Sequence, residues 1–157
     1  MNAAALTVEL AEASAGAGER EQRAARTASA IRRFGAYRWV GIYDVTTDEI
    51  AVVAWDGPAA PAHPRFPRSQ GLCGAAVAAG ATVIVGDVVA DPRYLTTHAT
   101  TRSEIVIPVF VAGAIAGLID VESERPQAFG DDDQQLLERC AALIAPLWRT
   151  RQEDAAG

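Results

Sequence analysis

The stretch Ser103-Glu-Ile-Val-Ile-Pro-Val-Phe-Val-Ala-Gly-Ala-Ile-Ala-Gly-Leu-Ile-Asp-Val-Glu-Ser123 consists of two apolar runs divided by small residues. Ser103 to Phe110 and Ala114 to Glu122 read as strands, and Val111-Ala-Gly113 between them as a hairpin turn. Alternation with period two sorts the second strand into faces: Ile115, Gly117, Ile119 and Val121 on one, Ala116, Leu118, Asp120 and Glu122 on the other. In the first strand Glu104 shares a face with Val106. Carboxylates within apolar strands are the anomaly of this chain. They are either solvated at strand ends or the mouth of an acidic pocket, suited to a ligand ammonium or guanidinium or, with a raised pKa, to acid/base work.

A second hairpin lies upstream. Arg38 to Val45 and Glu49 to Trp55 are rich in aromatic and β-branched residues, and Thr46-Thr-Asp48 supplies the turn. Trp39, Gly41 and Tyr43 share one face, as ordinary core packing or as two aromatic walls with a gap for a small ligand or a cation. From Asp56 to Gln70, Pro58, Pro61, Pro64 and Pro67 recur every third residue, which predicts a stiff extended loop or an irregular edge. Gly71 to Gly80 reads as a short helix closed by its glycine, and Thr82 to Val85 as an apolar strand. Residues 87–102, with Asp91-Pro92, form a connection lying over the domain.

Helices bracket these strands. Residues 1 to about 35 read as one Ala-rich helix with Ala24, Ala28 and Ile31 on one face and Gly35 as its stop. The last helix starts near Asp131, whose acidic run complements the helix dipole, and carries Leu136, Leu137, Cys140, Ile144, Leu147 and Trp148 on one stripe. The expected class is α+β: a central, mostly antiparallel sheet flanked by N- and C-terminal helices. Within it, residues 1–19 are an N-terminal helical extension, 20–150 the domain proper and 151–157 a flexible tail.

The 157 residues are half hydrophobic, enough for one compact domain with a real core. All 14 basic residues are Arg against 20 acids, so an extended basic surface for nucleic acid or anionic lipid is not expected. The N-terminus lacks the charged flank and apolar stretch of a signal peptide, and no run approaches a membrane span. With only two cysteines, Cys73 and Cys140, in apolar surroundings, the expected location is the cytoplasm.

Cys73 lies in Gly71-Leu-Cys-Gly74, at the start of a helix, and reads either as a small buried residue or as a thiol activated by the helix dipole. The two histidines, His63 and His98, fall in loops with no zinc spacing, and no metal or other cofactor is expected. Walker A, G-x-G-x-x-G, G-x-S-x-G and H-E-x-x-H sequences are absent.

Five segments in order carry a family resemblance: Trp39-Val-Gly-Ile-Tyr43, Gly71-Leu-Cys-Gly-Ala-Ala76, Gly86-Asp-Val88, Ser103-Glu-Ile-Val-Ile-Pro108 and Leu118-Ile-Asp-Val-Glu-Ser123. With Phe129 and the Asp-rich helix start, they resemble a GAF domain over residues 20–148, and most of all the free methionine-(R)-sulfoxide reductases. That subfamily implies a stand-alone, often dimeric domain with its substrate enclosed under a loop. Its aromatic pair and three acids fall here on Trp39, Tyr43, Glu104, Asp120 and Glu122, the last a Glu where Asp is expected. Its catalytic cysteine falls on Thr97 and its principal resolving cysteine on His63, so both thiols are missing. Sulfoxide reduction by that route needs a thiolate to attack sulfur and a second thiol to resolve the sulfenic acid, and a threonine hydroxyl cannot replace the first. The resemblance therefore implies a pocket without the reductase activity. The expected function is a small-molecule sensor or regulatory domain, a homodimer acting in trans on a protein partner, with Thr97 among its ligand-binding residues. The alternatives are a divergent reductase using Cys73 and a structural dimer with a vestigial pocket. Cyclic nucleotides, also GAF ligands, would need Arg65, Arg93 or Arg102 turned inward to meet phosphate.

Overall fold

The structure, a computed structural model, describes residues 2–149. Six strands form one sheet in the order β3-β2-β1-β6-β5-β4. They are β1 (Trp39–Val45), β2 (Glu49–Asp56), β3 (Arg65–Pro67), β4 (Val83–Val85), β5 (Ser103–Val111) and β6 (Ala114–Ser123). Every neighbouring pair is antiparallel. The four long strands, β2, β1, β6 and β5, are adjacent, and the three-residue β3 and β4 form the edges. The proline-spaced stretch contributes only the three-residue edge strand β3, since a residue without an N–H is tolerated at an edge and not inside a ladder.

The two faces predicted for β6 are realised from Gly117 onward; Ile115, beyond the bulge opposite Val109 and Phe110, packs on the Leu118 side instead of with Ile119 and Val121. Ile119 and Val121 join Ile105, Ile107, Val40 and Ile42 in a core beneath α1 (Ala3–Ala15), α2 (Arg20–Gly35) and α4 (Asp131–Leu143). Leu118 joins Trp39, Tyr43 and Val106 in a second, smaller cluster under α3 (Gly71–Ala79). The acids sit on this second face, because Asp120 and Glu122 follow Leu118 at period two.

Three differences from the sequence reading have local causes. The single N-terminal helix is two: Gly18 turns the chain at φ +107°, and the Glu19 N–H donates to Gln22 Oε1 at 3.1 Å to start α2 afresh. Leu6 and Leu10 of α1 are buried in the main core. At the other end of α2 the left-handed residue is Ala36, not Gly35; Gly35 is required because a Cβ there would lie 2.1 Å from the Tyr37 ring. The apolar stripe of α4 also ends early. Leu143 is its last residue, and Pro146, which has no amide hydrogen for a continuing helix, sits in a 3-10 turn over Ala145–Trp148. That turn lays the Trp148 indole over Gly117, where an added Cβ would be 2.1 Å from the ring, and lets Trp148 Nε1 donate to Asp44 Oδ1 at 2.7 Å. The predicted tail, 151–157, lies outside the described residues. Among the described residues no helix is long and apolar enough to cross a membrane.

Candidate functional site

Antiparallel register builds the site across four strands. Trp39 faces Glu122, which faces Glu104, which faces Val85; one step along, Gly41 faces Asp120, which faces Val106. Strand alternation turns all three carboxylates to the α3 side, so they are covered rather than solvated: Glu104 is 3%, Asp120 1% and Glu122 1% exposed. One oxygen from each lies within 4.8 Å of the others. Such spacing suits a metal ion or an organic ammonium, and the aromatic surroundings favour the organic cation.

The triad is incompletely satisfied. The Thr101 hydroxyl donates to Glu122 Oε1 at 2.9 Å, but Asp120 Oδ1 and Glu122 Oε2 are buried with no partner. Burial pushes the Glu104 carboxyl well above the ordinary range, and the neighbouring Asp120 and Glu122 push it further. Asp120 is raised by burial and then by Glu122. Burial also raises Glu122, against hydrogen bonds from the Thr101 and Thr97 hydroxyls that pull it down. No cationic side chain offsets these charges among the described residues.

A small, tight cavity of about 10 Å³ adjoins the acids. Glu104 and Asp120 form its floor, Tyr43 and Phe66 one wall, and Leu72 and Cys73 at the start of α3 another. Thr97 and Leu95 come from the 87–102 connection and His63 from the proline-spaced loop. The two loops are tied together by the Ala62 N–H donating to the Thr97 carbonyl at 3.1 Å, so the cavity is roofed. Thr97 and His63, the positions where redox thiols are missing, thus stand on one cavity wall.

Trp39 holds its place differently from the sequence reading. Its ring and that of Tyr43 converge over Gly41, where an added Cβ would meet them at 2.4 and 2.8 Å, so the glycine leaves no open gap between the rings. The Trp39 indole donates to the Ala59 carbonyl at 3.0 Å and meets the His98 ring edge-on at 5.2 Å. It backs the acids beside Glu122 rather than lining the cavity.

Cys73, third residue of α3, is held protonated. Burial pushes its thiol well up, and Asp120, Glu104 and Glu122 add to the effect, outweighing any help from the helix dipole. Arg65 pairs with Glu49, Arg93 with Asp91, and Arg102 donates to the Ala99 and Thr101 carbonyls. None of the three turns inward, which removes the phosphate partner a cyclic nucleotide would need.

Sequence reasoning missed Phe66 of β3 and Thr101, Leu95 and Tyr94 of the 87–102 connection, which approach the acids or their cavity. Phe66 carried a signal, being the one aromatic in the proline-spaced stretch. Loop residues without periodicity gave no comparable signal for the rest.

Residues 19–146 match the GAF domain family. The chain belongs to that family. Over 130 residues it is 32% identical to "GAF domain-containing protein A" of Dictyostelium discoideum, covering 81% of each protein. It is 30% identical over 112 residues to the free methionine-R-sulfoxide reductase of Escherichia coli, covering 71% of this chain and 67% of that one. Among solved structures, the free methionine-R-sulfoxide reductase of Neisseria meningitidis in complex with its substrate is similar with a TM-score of 0.84 at 33% identity, covering 96% of this chain and 90% of that one. The chain's only cysteines, Cys73 and Cys140, lie in different core clusters. Cys140 lies in the helix-side core, with burial pushing its thiol up to about 11.

Proposed function

We propose that this GAF domain binds a small organic cation, an amino acid or another amine, in the roofed acidic cavity and serves as a sensor or regulatory module. One observation carries the reading: three carboxylates are buried together, two of their oxygens lack partners, and among the described residues no positive side chain faces them. A buried charge cluster is costly unless something cationic completes it. The cavity itself is tight, about 10 Å³, room for roughly one water, so a ligand enters only when the two loops that roof it part. The proteins similar to this chain that are named for free methionine-R-sulfoxide, an amino acid derivative, support the ligand class.

Redox turnover has weaker support. A reductase using Cys73 alone would need a thiolate, and the thiol is buried beside three acids that oppose its ionisation. A thermal-shift and calorimetric screen of amino acids, their oxidised forms and simple amines tests the binding reading, repeated with Glu104→Gln and Asp120→Asn. Stabilisation by an ammonium ligand, lost in both variants, is the expected result. Turnover of free methionine-(R)-sulfoxide with a thiol reductant, abolished in Cys73→Ser, would overturn the sensor reading in favour of the reductase. Failure of every ligand to stabilise the wild type would overturn it in favour of a structural domain.

A further inference from the structure

We infer that the carboxylate triad of Glu104, Asp120 and Glu122 shares protons when the cavity is empty, and that a cationic ligand binds by displacing them, so that ligand uptake releases protons to solvent. The inference rests on the reading of the cavity as an amine site and adds the regulation of that site.

The geometry leaves the empty site few ways to be neutral. Three carboxylate oxygens converge within 4.8 Å in a region closed to water. Among the described residues, the groups facing them come from every packed element, and none is a cation. β1 contributes the Tyr43 phenol, α3 the Cys73 thiol, and the 87–102 connection Tyr94, Thr97 and Thr101. His63 stands at the exposed rim, and His98 is turned to Trp39, where burial and Arg38 disfavour its charged form. Three like charges at this separation repel strongly in a poorly polarisable interior, and protons are the cations always at hand. The orphaned Asp120 Oδ1 and Glu122 Oε2 are the atoms that an ammonium hydrogen would meet. When the ammonium arrives, its charge takes over the role of a shared proton, the proton passes to solvent, and no bond within the ligand breaks. Ligand affinity then rises with pH, by about tenfold per unit for each proton released, until the ligand amine itself loses its charge.

Two measurements on the full chain, dialysed against a chelator, test this with n-butylamine and L-methionine as probes. Infrared spectroscopy at neutral pH is expected to show the C=O stretch of a buried protonated carboxylic acid, weakened in Asp120→Asn and Glu104→Gln and reduced at probe saturation. Calorimetry in phosphate and in HEPES, neither of them a primary amine, is expected to give binding heats that differ in proportion to the buffers' ionisation heats. Absence of the acid band, a band unchanged at saturation, or buffer-independent heats would each overturn the exchange. If neither probe binds, the exchange falls together with the amine-site reading, and a band that remains locates the fault in the ligand class rather than in the protonation of the triad.

Discussion

Glu104 and Glu122 stand directly opposite each other across β5 and β6, both buried. Like charges in facing positions destabilise a sheet, and the pair is closed off from the water that would screen it. Such a pairing survives where function requires it. Glu104→Gln, which keeps the shape and removes one titratable member, is expected to stabilise the ligand-free protein by about 1–3 kcal/mol at pH 8 while abolishing ammonium binding. Urea unfolding with and without ligand measures both; destabilisation of the ligand-free form would argue that the carboxylate has a structural partner instead.

The pH dependence of stability follows from the direction of these shifts. Glu104, Asp120 and Glu122 all have raised pKa values in the folded protein, so the unfolded chain releases their protons first as pH rises. Their contribution is complete below the ordinary carboxylate range, near pH 4, and is lost as pH climbs toward the folded values. Surface pairs such as Arg38 with Glu124 are not among these groups. The difference in unfolding free energy between the wild type and Asp120→Asn is therefore expected to change steadily, against the wild type, from about pH 4 upward. A flat difference across that range would show that the triad is ionised in the native state.

The central strands and the two faces of β6 were legible because alternation is strict there: Ile119 and Val121 had to part from Asp120 and Glu122. Whether the acids were solvated was not legible, since it depends on α3 and on two loops with no periodicity that close over them. The break at Gly16-Ala-Gly18 was written in the sequence, yet the alanine content on both sides masked it. Trp39 was legible as an aromatic on the acid face, but its role as a wall behind Gly41 depends on Ala59 and His98, which approach from distant loops. The Pro146 break was marked by its own residue, but the apolar stripe runs straight through it and hides the change of helix type.

Cys73 is expected to be unreactive in the folded state. Its thiol is buried, raised by that burial and then by three acids, and Cys140 is also buried and shifted up to about 11. Labelling by an aromatic disulfide at pH 7.5 is expected to be at least about tenfold slower in the native than in the unfolded protein for both thiols. Conversion of Cys73 to Ser is expected to leave ligand binding within about threefold. Fast labelling of Cys73 would instead revive the redox reading.

Asp44 joins three parts of the chain on the side of the sheet away from the cavity. Its Oδ1 accepts from Trp148 Nε1 at 2.7 Å and from Arg20 Nη2, and its Oδ2 accepts from Arg20 Nη1 at 3.0 Å. Arg20 is also bound through Nε to the Leu147 carbonyl at 2.8 Å, so the start of α2, β1 and the 3-10 turn share one network. The ion pair is about a third exposed, which limits its Coulombic worth, but the indole bond is tied to packing over Gly117. Asp44→Ala is expected to cost about 1–2 kcal/mol in urea unfolding and leave ligand affinity unchanged. A loss of affinity would show that β1 transmits strain to the cavity.

Gly41 gives the sharpest test of how the aromatic wall is fixed. A Cβ at this position would lie 2.4 and 2.7 Å from Trp39 ring carbons and 2.8 Å from Tyr43, distances that force at least one ring to move. Trp39 has little freedom to do so, since its indole is bonded to Ala59, flanked by His98 and packed against Gly57, where an added Cβ would be 2.3 Å from the ring. Gly41→Ala is expected to cost about 2–3 kcal/mol and to weaken ligand binding, because displacing Tyr43 intrudes on the cavity. Gly80→Ala is the control: the residue has φ +61° at the end of α3 with nothing within 4 Å of the added carbon, so only backbone strain of about 1 kcal/mol is incurred and binding is untouched. Equal losses of affinity in the two variants would mean that general destabilisation, and not the position of the rings over Gly41, governs the site.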